Sequence, residues 1–303
     1  MVMMVYLLMM SLFMYCNHLL RQGQLRRKRR RIQSTRGAPP ALLTRQILAD
    51  NEKQGAFSLE RLQRARVFHR SQRPLDVRFE RLGLRVGDGD GDGRRLLKDV
   101  SGHFKSNRMA CIMGPSGCGK TTLLNALCGR AATYGGEATT EGRLFVNGVA
   151  HSAATAAAVT ASVTGFVPQD DSVYGDLTVL ENLAYSCRLR APAHYPPERR
   201  KALVDGLCEM LGLGGVQDCV VGTVQRRGIS GGQKKRVNVG VELAADPTAL
   251  LLDEPTSGLA STDTLCLVQC LSSFARRNRT VVAVIHQPRH TVRKAVSWRV
   301  GLG

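Results

Sequence analysis

Nine consecutive residues have the types and spacing needed to grip phosphates: Gly114, Pro115, Ser116, Gly117, Cys118, Gly119, Lys120, Thr121 and Thr122. They fit G-x-x-x-x-G-K-[ST], and they lie between an apolar run at 109–113 and an apolar-periodic run at 123–127. In such a phosphate loop the backbone N–H groups converge, the following helix start adds positive charge, Lys120 reaches the outer phosphates, and the Thr121 hydroxyl can bind magnesium. The pattern predicts a nucleoside triphosphate site, against a simple Gly-rich turn. It leaves the reaction open, because kinases, GTPases and motor ATPases share the loop.

Two acids follow another apolar run. Residues 249–252 predict a buried strand that ends in Asp253 and Glu254. An acid at the carboxyl end of a strand beside a phosphate loop can hold magnesium, and a neighbouring acid can accept a proton from attacking water. Paired surface acids are common, so a solvated pair is the alternative. A further buried strand at 281–285 delivers His286, which is either structural or a contact for a terminal phosphate.

A second anion-binding helix start is predicted at Ser230, Gly231, Gly232 and Gln233, here called the SGGQ stretch. A helix is predicted after it, over residues 237–245. Two phosphate-gripping elements so far apart in one chain suggest that one of them grips the nucleotide of another molecule. The strand at 165–167 ends in a polar loop that carries Gln169.

The remaining elements form the scaffold around these residues. Alternating residues at 75–86 predict the first strand of the globular domain, and residues 143–148 predict a strand that enters a turn. Residues 179–213 predict helices with a break at 192–197. The alternating Gly and Asp residues at 87–93 resemble the start of a calcium loop, but the twelfth position is Asp99 rather than Glu, so a solvated hairpin is favoured.

Composition places limits on the class of protein. A 303-residue chain with 43% hydrophobic residues can build a proper core and is not disordered. The net charge of +19 is concentrated in residues 1–74, which hold 15 Lys and Arg against 3 Asp and Glu, so it is not evidence for nucleic-acid binding by the globular part. The nine cysteines form no C-x-x-C pair, which favours free thiols over disulfides or zinc.

The N-terminal arm has two parts. Residues 1–20 are almost wholly apolar and are followed by a run of arginines, which predicts a membrane anchor with its C-terminal side in the cytosol. A cleaved signal peptide and an unnatural start are the alternatives. Residues 21–74 are interpreted as a basic linker. Its arginine-rich block at 21–31 is expected to contact anionic lipid headgroups, although a nuclear-localisation or nucleic-acid patch also fits the charge.

These motifs together resemble the nucleotide-binding domain of an ABC transporter. The phosphate loop resembles a Walker A motif, Gln169 a Q-loop, the SGGQ stretch the ABC signature, residues 250–254 a Walker B motif, and His286 the switch histidine. Four segments are similar in sequence to the corresponding segments of the White, or G, subfamily: residues 166–171, 177–183, 253–259 and 285–288. The resemblance covers about residues 75–290. The nucleotide-binding domain is assigned to residues 75–292, and residues 293–303 form a divergent tail.

The resemblance implies an α/β P-loop NTPase fold of the ABC ATPase type, with a mixed β core that contains a parallel sheet, a helical subdomain and an antiparallel β subdomain. It implies ATP and Mg²⁺ as cofactors, with Thr121, Gln169 and Asp253 around the metal. Glu254 would polarise the attacking water and His286 would steady the phosphoryl group. The implied partners are a second nucleotide-binding domain, whose SGGQ stretch closes the site, and the membrane. No nucleic-acid partner is expected.

Three departures from the family pattern qualify this expectation. Ala260 stands where the family has the D-loop Asp, Val86 stands where many members stack an aromatic on adenine, and the sequence ends at Gly303, before any membrane helices of a half-transporter. We therefore expect a fragment or truncated product of a half-transporter. The rival functions are a catalytically impaired, nucleotide-binding regulatory subunit and a soluble ABC-type ATPase that acts on nucleic acid or ribosomes.

Overall fold

The computed structural model describes residues 74–87, 93–134, 137–152, 160, 163–223, 225–285 and 298–301. All of them lie in one compact unit of the chain. The predicted anchor at 1–20, the predicted linker up to residue 73, and the central residues of the predicted 87–93 hairpin lie outside the described residues. Among the helices that are described, none is long and apolar enough to cross a membrane.

One sheet is antiparallel, with strand order β2-β1-β4-β5. Its strands are β1 (Val77–Gly87), β2 (Arg94–Phe104), β4 (Glu137–Val146) and β5 (Val149–Ser152). The alternation that predicted the first strand is confirmed, since Val77 and Phe79 are buried while Arg78 is exposed. A register shift before Leu82 interrupts this alternation.

The second sheet is parallel, with strand order β6-β7-β8-β3-β9. Its strands are β3 (Arg108–Met113), β6 (Thr164–Val167), β7 (Ala249–Asp253), β8 (Thr280–Val284) and β9 (Trp298–Gly301). β7 and β8 are buried at every residue, as expected for a parallel sheet covered on both faces. β9 pairs with β3 from within the stretch that the sequence assigned to a tail.

Five α-helices are described. They are α1 (Lys120–Leu127), α2 (Val179–Arg190), α3 (Pro197–Met210), α4 (Gly231–Leu243) and α5 (Ser261–Ala275), with short 3₁₀ turns at Ala131–Tyr134 and Gly214–Val216. The predicted break falls between α2 and α3, where Pro197 opens α3 in the first position that tolerates proline. Helix α4 begins six residues before the predicted helix at 237, because Ser230 caps it.

Alternate residues of the parallel sheet enter two separate cores. Met109, Cys111, Leu250 and Leu252 belong to the core that the helices α2 to α5 cover. Their neighbours in sequence face the other core, which α1 and the antiparallel sheet cover. The predicted α/β P-loop fold, with its parallel sheet, antiparallel sheet and helical part, is therefore confirmed.

The topology fixes where the candidate residues meet. The phosphate loop follows β3, Gln169 follows β6, and Asp253 ends β7. Because parallel strands point the same way, all three positions lie at the carboxyl edge of one sheet, which is where ligands bind in open α/β folds.

Candidate functional site

The phosphate loop has the backbone conformation that its glycines permit. Gly117 and Gly119 have φ angles of 79° and 91°, in the left-handed region that other residues rarely adopt. Gly119 caps α1, and a Cβ atom there would lie 3.0 Å from Leu97 Cδ2 of β2. The loop is therefore held against the antiparallel sheet, and the N-terminus of α1 directs its N–H groups into the loop.

Lys120 is the first residue of α1, and its side chain lies inside the loop. It is 7% exposed, and its Nζ donates hydrogen bonds to the carbonyl oxygens of Gly114 at 3.0 Å and Pro115 at 2.6 Å. Cys118 Sγ lies 3.8 Å from the same ammonium group. Phosphate oxygens are acceptors of the same kind with greater negative charge, so the ammonium is already placed to receive them.

Asp253 is a buried carboxylate whose oxygens are only partly hydrogen-bonded. The residue is 3% exposed, and its Oδ1 atom has no hydrogen-bond partner among the described residues. Burial raises the pKa of Asp253, a hydrogen bond with Thr121 lowers it, the charge of Glu254 raises it, and that of Lys120 lowers it, with a net upward shift. A buried anion with an unpaired oxygen is a position at which a bound cation would be favourable.

The donor set around Asp253 fits Mg²⁺. This ion usually binds through one or two carboxylates together with substrate phosphates, rather than through a full cage of protein ligands. The described residues contain no group of three or more His, Cys, Asp or Glu that could hold a metal by themselves. The Thr121 hydroxyl and the Asp253 oxygen without a described partner could serve as protein ligands of such an ion.

Glu254 and Gln169 lie together beside this position. The Gln169 Nε2 atom donates to Glu254 Oε2 at 3.4 Å, although the two residues are 85 positions apart in sequence. Glu254 has a φ angle of 46°, which costs a non-glycine residue on the order of 1–3 kcal/mol and is typical of functional sites. A turn that the Ser257 N–H closes onto the Glu254 carbonyl at 3.1 Å stabilises this conformation.

The SGGQ stretch forms the start of α4. Ser230 and Gln233 make a reciprocal capping box, in which Gln233 N–H donates to Ser230 Oγ at 3.2 Å and Ser230 N–H donates to Gln233 Oε1 at 2.9 Å. The Gln233 side chain is therefore engaged within the stretch itself. Gly231 is exposed, and a Cβ atom there would meet nothing within 4 Å, so the helix start is open to an anion from outside the subunit.

The same stretch lies against the segment after Glu254. A Cβ atom at Gly232 would lie 3.1 Å from Asp263 Oδ2, and Arg236 forms an ion pair with Asp263 Oδ1 at 2.6 Å. Ala260 is the N-cap of α5 and supplies no side-chain hydrogen bond to it. The D-loop departure therefore has a local structural consequence, which is an uncapped helix.

The network around Lys235 was not predicted from the sequence. The Lys235 Nζ atom donates to the Gln169 carbonyl at 2.6 Å and pairs with Asp171 Oδ1 at 2.8 Å. The signal was present, because Lys235 falls four and eight residues before Val239 and Leu243, which are fully buried on the same helical face. A lysine at an apolar-periodic position indicates a buried charge with a specific partner.

His286 lies outside the described residues. Ile285 before it donates its N–H at 3.3 Å to the carbonyl of Ile112, a residue of the strand β3 that enters the phosphate loop. Val86 is partly buried against the second core and pairs across the sheet with Arg94.

Comparison with known proteins identifies a family that this chain matches. The family model described as ABC transporter matches residues 97–257. In Arabidopsis thaliana, ABC transporter G family member 28 is 42% identical over 222 residues, or 73% of this chain and 19% of that protein. Putative white-brown complex homolog protein 30 is 41% identical over 225 residues, or 74% of this chain and 20% of that protein.

A third relative from the same plant, ABC transporter G family member 21, is 37% identical over 270 residues, or 85% of this chain and 38% of that protein. The chain thus spans well under half the length of each of these relatives. The family model covers more than half of the chain and includes the phosphate loop, Gln169, the SGGQ stretch and the Asp253-Glu254 pair. The chain belongs to the ABC transporter family, with relatives in its G subfamily, and it carries that family's nucleotide-binding domain.

Proposed function

We propose that this chain binds Mg-ATP and hydrolyses it to power transmembrane transport, as the nucleotide-binding domain of a G-subfamily half-transporter. The observation that carries the proposal is the buried, partly unpaired carboxylate of Asp253 next to Thr121, with Glu254 and Gln169 in contact beside it. This supports a divalent-cation site, a candidate base and an orienting amide beside the end of the phosphate loop.

In this mechanism the phosphate loop and Lys120 bind the β- and γ-phosphates, and the start of α1 adds favourable charge. Thr121 and Asp253 would hold Mg²⁺, with Gln169 nearby, and the bound ion would supply positive charge to neutralise the phosphate oxygens. Glu254 orients the attacking water and accepts its proton, while the Gln169 amide holds the Glu254 carboxylate in place. His286 is assigned to the terminal phosphate.

A second copy of the domain, or a related one, completes the site. The exposed start of α4 supports this assignment, because Gly231 is exposed and a Cβ atom there would meet nothing within 4 Å. The SGGQ stretch of the partner would close over the terminal phosphate and exclude water. ATP binding would join the two domains, and hydrolysis would release them.

The membrane part of the proposal rests on the relatives, which are named transporters and are longer than this chain. We assign the domain to the cytosolic side of a membrane, where its cycle would move membrane-spanning segments, with residues 1–20 as an anchor. Membrane fractionation of the expressed chain tests this, since recovery in the soluble fraction alone would favour the rival of a soluble ATPase.

The deciding experiment measures Mg-ATP turnover by the full 303-residue chain, with Glu254→Gln as the test variant. The control is Glu209→Gln, which removes an exposed carboxylate of α3. We expect wild type and the control to hydrolyse ATP, and Glu254→Gln to bind ATP, dimerise in size-exclusion chromatography and stall.

A regulatory subunit without turnover is the second candidate. The observation that favours it is Ala260 at the D-loop position, where the side chain provides no cap for α5. It takes the lead if wild type binds ATP but hydrolyses it no faster than Glu254→Gln. Loss of binding in all three proteins would reject both candidates.

A further inference from the structure

Lys235 places a positive charge in the interior of the subunit. The residue is 6% exposed and lies in the second turn of α4, the helix that begins at the SGGQ stretch. Its ammonium has two partners on the segment after β6, namely the Gln169 carbonyl at 2.6 Å and Asp171 Oδ1 at 2.8 Å. Burial of an ammonium is costly unless its hydrogen bonds are satisfied, so these two contacts are strongly specified.

The segment that Lys235 holds has no regular structure of its own. Residues 168–174 belong to neither a helix nor a strand, so their position depends on contacts with other elements. Helix α4 supplies a further contact through Asn238, which accepts from the Ser172 N–H at 3.3 Å and donates to Asp171 Oδ1 at 3.4 Å. The polypeptide around Gln169 is therefore held by hydrogen bonds and an ion pair to α4.

The contact with the carbonyl bears on catalysis because of where the Gln169 side chain goes. The same residue whose carbonyl Lys235 holds donates its amide to Glu254 at 3.4 Å. A charge-assisted hydrogen bond to the Gln169 carbonyl fixes the position of the backbone from which that side chain extends. Small displacements of positioning groups cost large factors in rate, so loss of this contact should reduce the rate without removing any group from the site.

We propose that Lys235 is a positioning residue for hydrolysis: by holding the Gln169 carbonyl, it sets the contact between the Gln169 amide and Glu254, and it couples that contact to the helix that begins at the SGGQ stretch. The inference rests on the proposed ATP hydrolysis. A consequence is that binding of a partner's nucleotide to the SGGQ stretch changes the position of Gln169 in the same subunit.

A purely structural role for Lys235 is the competing explanation, because the lysine also neutralises Asp171. The double variant Lys235→Met with Asp171→Asn separates the two roles, since it removes both charges and leaves no buried unpaired ion. Lys201→Met is the matched control, because it removes a lysine from an exposed ion pair with Asp205 on α3.

The full chain is assayed for kcat, KM and thermal unfolding. We expect the double variant to unfold at the wild-type temperature and to keep KM within about threefold, while kcat falls at least about tenfold. We expect Lys201→Met to match wild type. In a Gln169→Ala background, the Lys235→Met substitution should lower kcat little further, because the side chain that it positions is gone.

Wild-type kcat in the double variant would overturn the proposal and leave Lys235 as the counter-ion of Asp171. Equal effects of Lys235→Met with and without Gln169 would overturn it as well. Amide hydrogen exchange of residues 168–174 in nucleotide-free protein supplies a readout that does not need turnover. We expect faster exchange there in the double variant and unchanged exchange in α1.

The exchange measurement also separates failure of this inference from failure of the proposed function. If wild type does not hydrolyse ATP, the proposed function fails, and the role of Lys235 in hydrolysis fails with it even where exchange confirms the tether. If wild type hydrolyses ATP while exchange at 168–174 is the same in wild type and double variant, only the inference about Lys235 fails.

Discussion

The amide of Gln169 and the carboxylate of Glu254 lie 3.4 Å apart across the ends of two neighbouring parallel strands. β6 delivers one residue and β7 the other, so the pairing of these strands creates the contact. Glu254 is further held in a left-handed backbone conformation that few glutamates adopt. The contact between Gln169 and Glu254 therefore depends on strand pairing and backbone conformation as well as on the two side chains.

Substitution of Gln169 by Ala should slow ATP turnover more than it weakens ATP binding. In the proposed mechanism the amide orients Glu254 toward the attacking water and makes none of the phosphate-loop contacts. We therefore expect kcat to fall by at least about tenfold with the ATP Kd within about threefold. Steady-state kinetics and direct nucleotide titration measure the two quantities. A matching loss of affinity and kcat would instead make Gln169 a substrate-binding residue.

Substitution of Asp253 by Asn should stabilise the nucleotide-free protein at neutral pH. Burial raises the pKa of Asp253, so the folded state binds its proton more tightly than the unfolded state does, and stability is lost as pH rises through the folded-state pKa. Removal of a buried charge with an unpaired oxygen should add about 1 kcal/mol to the free energy of unfolding.

The gain should shrink as pH falls from the folded-state pKa to the unfolded-state value of about 3.9, and it should be gone below about 3, where the carboxyl group is neutral in both states. Thermal unfolding without nucleotide at several pH values checks the sign. With Mg-ATP added, the variant should gain less stability than wild type does, because it has lost a metal ligand. A gain that is the same at every pH would mean that the buried charge is not its cause.

Substitution of Ala260 by Asp should stabilise α5. Ala260 has the extended conformation of an N-cap residue but offers no acceptor, and an N-cap Asp contributes about 1 kcal/mol relative to Ala. Ala260→Val is the control, because it changes the side chain without providing an acceptor. Chemical denaturation measures both variants, and equal stability for the two would contradict the capping explanation.

Alkylation of Cys118 should block nucleotide binding, and nucleotide should block alkylation. Cys118 is partly buried inside the phosphate loop, with its Sγ 3.8 Å from Lys120 Nζ, so a maleimide adduct would fill the space that phosphates need. With Mg-ATP in about 100-fold excess over Kd, we expect the labelling rate to fall about 100-fold, to about the unbound fraction.

Cys219 is exposed and serves as an internal control, because its labelling should not depend on nucleotide. Peptide mapping by mass spectrometry resolves the two cysteines in one sample. Equal labelling of Cys118 with and without Mg-ATP would place the nucleotide elsewhere. A Cys118→Ala variant should bind ATP and lose its sensitivity to the reagent.

Several features of the site could be predicted from local sequence. Glycines at 117 and 119 take left-handed conformations, Ser230 and Gln233 form a capping box, and Pro197 opens a helix. Each is decided by the conformational freedom or hydrogen-bonding capacity of a residue and its close neighbours. The family resemblance then supplied the roles of Gln169 and His286, which no local pattern determines.

Helix boundaries and the tail were less predictable. The sequence placed the helix after the SGGQ stretch at 237, but the capping box starts it at Gly231. β9 occurs within the predicted tail, because its four residues find hydrogen-bond partners along the free edge of β3. Pairing of strands distant in sequence is a property of the sheet, and local propensity does not determine it.

The sequence by itself determined that a phosphate loop, two acids and a second helix start exist, since each depends on residues that are adjacent in the chain. Only the tertiary structure decided that β6, β7, β8 and β3 stand side by side, and so that Gln169 reaches Glu254 and Thr121 reaches Asp253. It likewise decided that Lys235 is buried against the Gln169 carbonyl. The physical reason is that parallel pairing and burial join segments far apart in sequence, and the free energy of those contacts belongs to the packed molecule.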